Sequence, residues 1–200
     1  MSTSLSPRKL TLADIADLRA YERERDEFRA RVIELKRRRR VSLGTVVTLV
    51  FENRDTIRFQ IQEMARVEKI VTDAGIQEEL DIYNPVVPDP GQLCATLFIE
   101  LTSDEQMREW LPRLVGIERS VVVRLANGSE VRSRPEANHE AQLTRDHVTA
   151  AVHYLQFDFT PEQVAAFGEG AVLLIDHPSY LEQVELSPAT VDELRTDLLP

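Results

Sequence analysis

The stretch ELKRRRRVSLG, Glu34 to Gly44, carries five consecutive cations, Lys36, Arg37, Arg38, Arg39 and Arg40. Such a run can neutralise the phosphates of a nucleic acid or meet an acidic protein surface in a salt-sensitive docking contact. It can also simply finish a helix, because exposed carbonyls give a helix C-terminus a partial negative charge that each Lys or Arg there offsets by about 0.3–1 kcal/mol. Arg25 and Arg29, on the preceding turns, would widen an anion or partner contact. The same segment also carries Glu22, Glu24, Asp26, Glu27 and Glu34, and no aromatic cluster lies among the cations for base stacking. A solvated helix end or a contact with an acidic protein therefore outranks nucleic acid.

A second dense region is FENRDTIRFQIQEMARVEK, Phe51 to Lys69. It sits at a strand-to-helix junction. Asn53, Arg54 and Arg58 at a helix start would suit an anion, since free N–H groups and the helix dipole point the same way. Capping plus an ion-pair network of Arg54, Arg58 and Arg66 with Glu52, Asp55, Glu63 and Glu68 explains the same residues and is preferred.

Metal chemistry has a narrower basis. Glu63 and Glu68 are five apart and diverge by about 140° around a helix, so they cannot share an ion. The remaining candidates are His153 on an otherwise apolar strand face, His177 with Asp176 in IDHPSY, and His139 with Glu140 or His147 in a polar loop. If the strands of His153 and His177 are neighbours, the two imidazoles and Asp176 would converge on a metal. The cofactor expectation is accordingly none, or a single divalent metal. A lone histidine on an apolar face is more often a hydrogen-bonded core residue. Cys94, the one cysteine, reads as a buried and unreactive thiol. The glycine-rich phosphate loops, Gly-x-Ser-x-Gly and His-Glu-x-x-His are all missing.

These residues need elements to hold them. Thr11-Leu-Ala-Asp14 predicts a short capped helix, and Phe28, Val32 and Leu35 mark the apolar stripe of a charged helix from Tyr21 to about Arg39. Val41 to Glu52, VSLGTVVTLVFE, reads as one central strand covered on both faces. Helices over Thr56–Val71 and Thr72–Tyr83 follow, and Pro85, Pro88, Pro90 and Gly91 then form a stiff loop. Leu93 to Thr102 alternates as a strand with a better-buried odd face, and Ser103-Asp-Glu-Gln106 opens a helix to about Leu114. Val121–Leu125, Asn127-Gly128 and Glu130–Arg134 predict a hairpin with a type I′ turn. Thr149–Phe159 is a strand with Ala151, His153, Leu155, Phe157 and Phe159 on one face. A helix from Thr160 to Phe167, a strand from Ala171 to Ile175, a turn over Asp176–Tyr180 and a last helix from Ser187 to Leu199 complete the reading.

The sum is an α+β chain with a mostly antiparallel sheet of about five to six strands, an N-terminal helical layer and a C-terminal helix. Two hundred residues, 42 % hydrophobic and 29 % charged, are enough for a real core in a single domain over 1–200. Within it, 1–10 is expected to be flexible, 11–84 to be helix-rich around one central strand, and 92–200 to be strand-rich. No βαβαβ alternation suggests a doubly wound nucleotide-binding fold. No apolar run spans a bilayer, the Ser-rich start lacks a secretory hydrophobic centre, and one cysteine allows no internal disulfide; a cytoplasmic protein is expected. The net charge of −10 is uneven: +5 over residues 1–70 against −15 over 71–200. That split fits either an internal match between packed layers or a basic face kept for an anionic partner.

Through LRAYERERDEFRARVIELKRRRRVSLG, VFENRDTIRFQIQEMARVEK and LFIELTSDEQMREWLPRLVGIE, the chain resembles a bacterial family of uncharacterised proteins of about 200 residues, a domain of unknown function. The resemblance covers nearly the whole chain. Genes of that family often lie beside one for rubrerythrin, a non-haem iron peroxidase, and one for an iron–sulfur oxidoreductase. The association implies an accessory or interaction protein in peroxide defence or electron transfer, docking on an acidic redox protein such as those two. It assigns no activity and no catalytic residue. The alternative is a metal-binding protein or metal-dependent enzyme built on His153 and His177.

Overall fold

A computed structural model describes residues 6–137 and 147–200. The chain enters through a short 3₁₀ turn, Leu12–Asp14, closed by the Asp14 carboxylate accepting from the Thr11 N–H at 2.8 Å. Helix α1 (Leu18–Arg39) starts where the Asp17 side chain caps the Ala20 N–H. It buries Tyr21, Phe28 and Val32 on one stripe and leaves the opposite face charged. Strands β1 (Arg40–Leu43) and β2 (Val47–Glu52) follow. Next come α2 (Arg54–Glu68), capped by Asn53, and α3 (Asp73–Tyr83), capped by Thr72. After the proline loop, β3 (Gln92–Ile99) and α4 (Asp104–Arg113) lead into the hairpin β4 (Val121–Leu125) and β5 (Glu130–Arg132). The described chain ends with β6 (Arg134–Pro135), β7 (Val152–Asp158), α5 (Pro161–Phe167), β8 (Ala171–His177), β9 (Tyr180–Glu185) and α6 (Pro188–Leu198).

The protein is α+β, and every strand pairing is antiparallel. The strands fall into two sheets rather than one, in the orders β1-β2-β3-β7-β6 and β5-β4-β8-β9. Odd-numbered side chains of the first sheet, such as Leu49, Phe51, Leu97 and Phe157, meet Val121, Val123, Leu173 and Ile175 of the second in one apolar cluster. Even-numbered positions of the first sheet face the other way. Cys94 and Tyr154 there pack on Ile57, Ile61 and Tyr83 from the helical layer. Both faces of β3 are thus covered, and its odd face is the better buried of the two: Leu93, Ala95, Leu97 and Ile99 are all buried, whereas Gln92 and Phe98 at the ends of the even face are partly exposed.

Three local expectations need correction. Val41 to Glu52 is not one strand but a tight hairpin, turning at Gly44 with φ +63°. The turn is hidden in the sequence because a single glycine interrupts an otherwise β-branched run. At Asn127-Gly128, Gly128 is left-handed and Asn127 is not. The Gly128 N–H bonds the Leu125 carbonyl at 2.9 Å, which makes a type I turn closed by a left-handed glycine rather than type I′. Beyond the Asp176–Tyr180 turn, β9 is an exposed edge strand whose polar side chains hide its pairing with β8.

The two sheets are pinned at the Gly44 turn. The Tyr180 hydroxyl from β9 donates to the Leu43 carbonyl at 2.7 Å and accepts from the Thr45 and Val46 N–H groups at 3.1 and 3.2 Å. A Cβ at position 44 would lie 2.5 Å from that oxygen, at a backbone angle unfavourable to L-residues. Gly44→Ala is therefore expected to cost about 1–3 kcal/mol in denaturant unfolding, through strain and loss of the tyrosine clasp. Wild-type stability in that variant would show that the clasp is slack.

Candidate functional site

Each cation of the opening run has a distinct place. Arg39 is fully buried. Its guanidinium donates to Asp197 Oδ2 at 2.7 Å and Oδ1 at 3.1 Å, and to Glu193 Oε1 at 3.1 and 2.9 Å, joining the end of α1 to α6. It is a structural anchor and has no surface for a partner, which corrects its place among the contact residues. Arg38 reaches the second oxygen of Glu193 at 3.1 Å, Arg40 reaches Glu100 at 3.2 Å, and Arg37 pairs with Glu34 on its own helix at 2.9 Å. Lys36 and Arg29 form no ion pair among the described residues. Arg25 forks onto Glu63 of α2 at 2.7 and 2.9 Å, and the Tyr21 hydroxyl donates to the same carboxylate at 2.7 Å. Arg25 and Tyr21 together hold the Glu63 carboxyl below the usual carboxylate range.

The start of α2 is closed in the same manner. Asn53 Oδ1 accepts from the Asp55 and Thr56 N–H groups at 3.1 and 3.0 Å, leaving it no lone role as an anion receptor. Arg54 pairs with Asp14 at 2.5 Å. Arg58 pairs with Glu24 at 2.8 Å and lies over the Phe28 ring, 4.8 Å from its centroid. Capping and ion pairs account for this junction, but the arginines pair with Asp14, Glu24 and Glu22 and not with the expected Glu52, Asp55, Glu63 and Glu68.

The histidines do not assemble. His153 lies on β7 of the first sheet and His177 on β8 of the second, so their strands are not neighbours. Each is a hydrogen-bonded core residue. His153 Nε2 lies 2.8 Å from Thr149 Oγ1 and 2.9 Å from the Ala150 carbonyl; burial pushes its pKa down, against the pull of Glu118. His177 meets the Val115 carbonyl at 3.0 Å through Nε2 and accepts the Ser179 N–H at Nδ1. Asp176 is held by Arg132 at 2.8 and 2.5 Å, and that guanidinium keeps its carboxyl below the usual range. No group of three or more metal-ligating side chains comes together among the described residues. His139 and Glu140 lie outside those residues. Cys94 is fully buried and its thiol is pushed up by that burial, as befits an inert core cysteine.

What the structure does bring together is a pocket on the even-numbered face of the first sheet. A cavity of about 270 Å³ is lined by Lys36 of α1, Glu52 of β2, Gln60 of α2, Tyr83 of α3, Thr96 of β3 and Tyr154 of β7. Ile57, Phe98 and Val152 supply its apolar wall. Glu52 is 5 % exposed. Its Oε1 accepts from the Thr96 hydroxyl at 2.7 Å, while its Oε2 is buried without a hydrogen-bond partner among the described residues. Tyr83 and Tyr154 meet edge to face with centroids 6.5 Å apart. Burial, then the neighbouring Tyr83 and Glu52, push the Tyr154 phenol above its usual range, so it stays a protonated donor at neutral pH.

Local sequence explains the placement. Glu52 is the last residue of a strand whose alternate positions Thr48, Val50 and Glu52 face the helices, and Asn53 immediately caps α2. The sequence reading assigned Glu52 to an arginine network, yet Arg54, Arg58 and Arg66 choose Asp14, Glu24 and Glu22 instead. The available signal was a carboxylate ending an apolar strand, and a threonine and a tyrosine on the even positions of two others.

An α+β protein with two packed antiparallel sheets, a helical layer over one of them and a small polar pocket between layer and sheet is thus the class defined here. The chain belongs to the family described as "Protein of unknown function (DUF3501)", which matches residues 9–198. It is similar to a protein of unknown function from Burkholderia pseudomallei, known from a crystal structure at 1.90 Å resolution, with 40 % identity and a TM-score of 0.86. That similarity covers 95 % of this chain and 99 % of the other. No curated protein matches the chain. Among the described residues no helix is long and apolar enough to cross a membrane.

The contrast between neighbouring arginines is testable. Arg39→Ala leaves Asp197 and Glu193 without their buried cation and is expected to cost about 3–5 kcal/mol in denaturant unfolding. Arg38→Ala, at a half-exposed side chain, should stay within about 1 kcal/mol of wild type. Equal losses in the two variants would refute the anchor role of Arg39.

Proposed function

We propose that the protein binds a small molecule in the cavity over β2, β3 and β7, with Glu52 as the acceptor that reads it. The observation that carries this reading is that Glu52 lines the cavity while its Oε2 is buried without a hydrogen-bond partner among the described residues. An unsatisfied buried polar group costs about 1–3 kcal/mol, and a carboxylate more. The arginines of the adjacent helix would relieve that cost, but they pair elsewhere. An incoming donor is the natural partner. The surroundings suit recognition, with donors from Gln60 and Lys36 and an apolar wall to exclude water.

A carboxylate kept for binding weakens the fold that carries it. Replacing the pair with apolar groups, Glu52→Leu with Thr96→Val, is expected to raise stability by about 1–3 kcal/mol in denaturant unfolding, since both partners of the one hydrogen bond leave together. A loss of stability would make Glu52 a structural residue and end this reading.

A second reading keeps the chain as an accessory protein of an iron-dependent peroxide-defence or electron-transfer system. It is supported by the family resemblance and by exposed Arg29, which forms no ion pair among the described residues, together with the largely exposed Arg37 and the half-exposed Arg38. A variant carrying Arg29→Ser, Arg37→Ser and Arg38→Ser, which spares the buried Arg39, should bind purified rubrerythrin or iron–sulfur oxidoreductase about tenfold more weakly at low salt, mainly through a slower on-rate. Undiminished binding, or no binding by wild type, removes the docking role.

A further inference from the structure

We infer that the ligand of the Glu52 cavity is a short zwitterion, with an ammonium group on Glu52 and an acid group on Lys36. The inference rests on the reading of this cavity as a binding site and names the chemistry it takes.

An ionised carboxylate only accepts hydrogen bonds, so the group that meets Oε2 is a donor. A charged donor fits better than a hydroxyl. Charge-assisted hydrogen bonds are about twice as strong as neutral ones, and a buried carboxylate needs a countercharge as well as a proton. No Lys or Arg among the described residues reaches Oε2. Arg54 and Arg58, on the helix that begins two residues after Glu52, turn outward to Asp14 and Glu24. Tyr83 and Tyr154 line the same cavity, and an aromatic ring face within about 6 Å attracts a cation.

The acid end follows from Lys36. It lines the same cavity and forms no ion pair among the described residues, although acidic side chains are plentiful on its own helix. Lys36 and Glu52 cancel in formal charge, so a ligand bearing one charge of each sign meets both without leaving a net charge in the cavity. Size limits the spacer. A volume of about 270 Å³ equals roughly nine water-sized shares, which admits on the order of six to nine heavy atoms. The straight ω-amino acids from β-alanine to 6-aminohexanoate span that range.

The test is amide NMR of the ¹⁵N-labelled full chain, titrated with β-alanine, 4-aminobutyrate and 6-aminohexanoate, and separately with ethylamine, propionate and ethanol. The expected result is a chain-length optimum among the amino acids, with shifts at Glu52, Thr96 and Tyr154 and affinity at least about tenfold above ethylamine or propionate. Glu52→Gln should reduce that affinity at least about tenfold, and Lys36→Met, at a half-exposed site that leaves folding intact, should bring it down to that of ethylamine. Shifts at the same amides by ethanol or propionate as strong as those by the amino acids, or affinity unmoved by Lys36→Met, would overturn the zwitterion while leaving the cavity a binding site. No shift at those amides with any of the six probes would overturn both.

Discussion

The buried guanidinium of Arg39 is the constraint around which the rest of the molecule is arranged. A charge with no solvent must be met on all sides, and Glu193 and Asp197, one turn apart on α6, meet it with four hydrogen bonds. The same helix end gathers other strands of the chain. Arg8 donates to the backbone carbonyls of Asp197 and Leu199, and the Gly91 N–H after the proline loop bonds the Leu198 carbonyl at 3.0 Å. Three segments far apart in sequence thereby share one knot. Arg40 follows Arg39 directly into β1, so the knot also sets where the β1–β2 hairpin begins and, at its far end, where Glu52 stands.

The uneven charge of the chain resolves in the same terms. Cations of the basic first third meet acids of the acidic remainder across Arg39–Asp197, Arg38–Glu193 and Arg40–Glu100. Within the helical layer, α1 and α2 are laced by Arg25–Glu63, Arg58–Glu24 and Arg66–Glu22 around the edge-to-face pair Phe28 and Phe59. Most of these pairs are partly exposed and individually worth little, but they specify which helix faces lie together. The narrow apolar stripe of α1 could not do that alone. Much of the basic run is therefore an interlayer match, and only the exposed heads remain for anything outside the molecule.

Elements with a local chemical signal were legible in the sequence. Asn53, Thr72, Ser103, Thr160 and Ser187 all cap the helices they were expected to open, because a capping hydrogen bond spans only two or three residues. The α+β class and the strand at Thr149–Phe159, with His153, Leu155 and Phe157 on one buried face, were legible for the same reason of short period. Features that depend on distant partners were not. Nothing near Arg39 marks it as buried while Arg38 and Arg40 are half exposed, since the difference lies in α6, more than 150 residues away. The division into two sheets, which keeps His153 from His177, depends on β8 pairing with β4 and β9 and not with β7.

Glu52 was illegible for a related reason, and its contrast with Arg39 is what gives it meaning. Both are buried charges at the end of an element, and the sequence offers each the same kind of neighbours. On the even-numbered sheet face the other polar groups find partners: Thr48 bonds Glu100 at 2.8 Å, Gln156 bonds the Pro85 carbonyl at 2.8 Å and Thr96 bonds Glu52 itself. Only three buried side-chain oxygens among the described residues have none, and one of them belongs to Glu52, which lines the cavity left between helices α1, α2 and α3 and the sheet. A fold that surrounds Arg39 with four hydrogen bonds has the means to satisfy a carboxylate. That it leaves one oxygen of a cavity-lining carboxylate without a partner, while the arginines of α2 pair elsewhere, is the arrangement expected of a group whose partner arrives from outside.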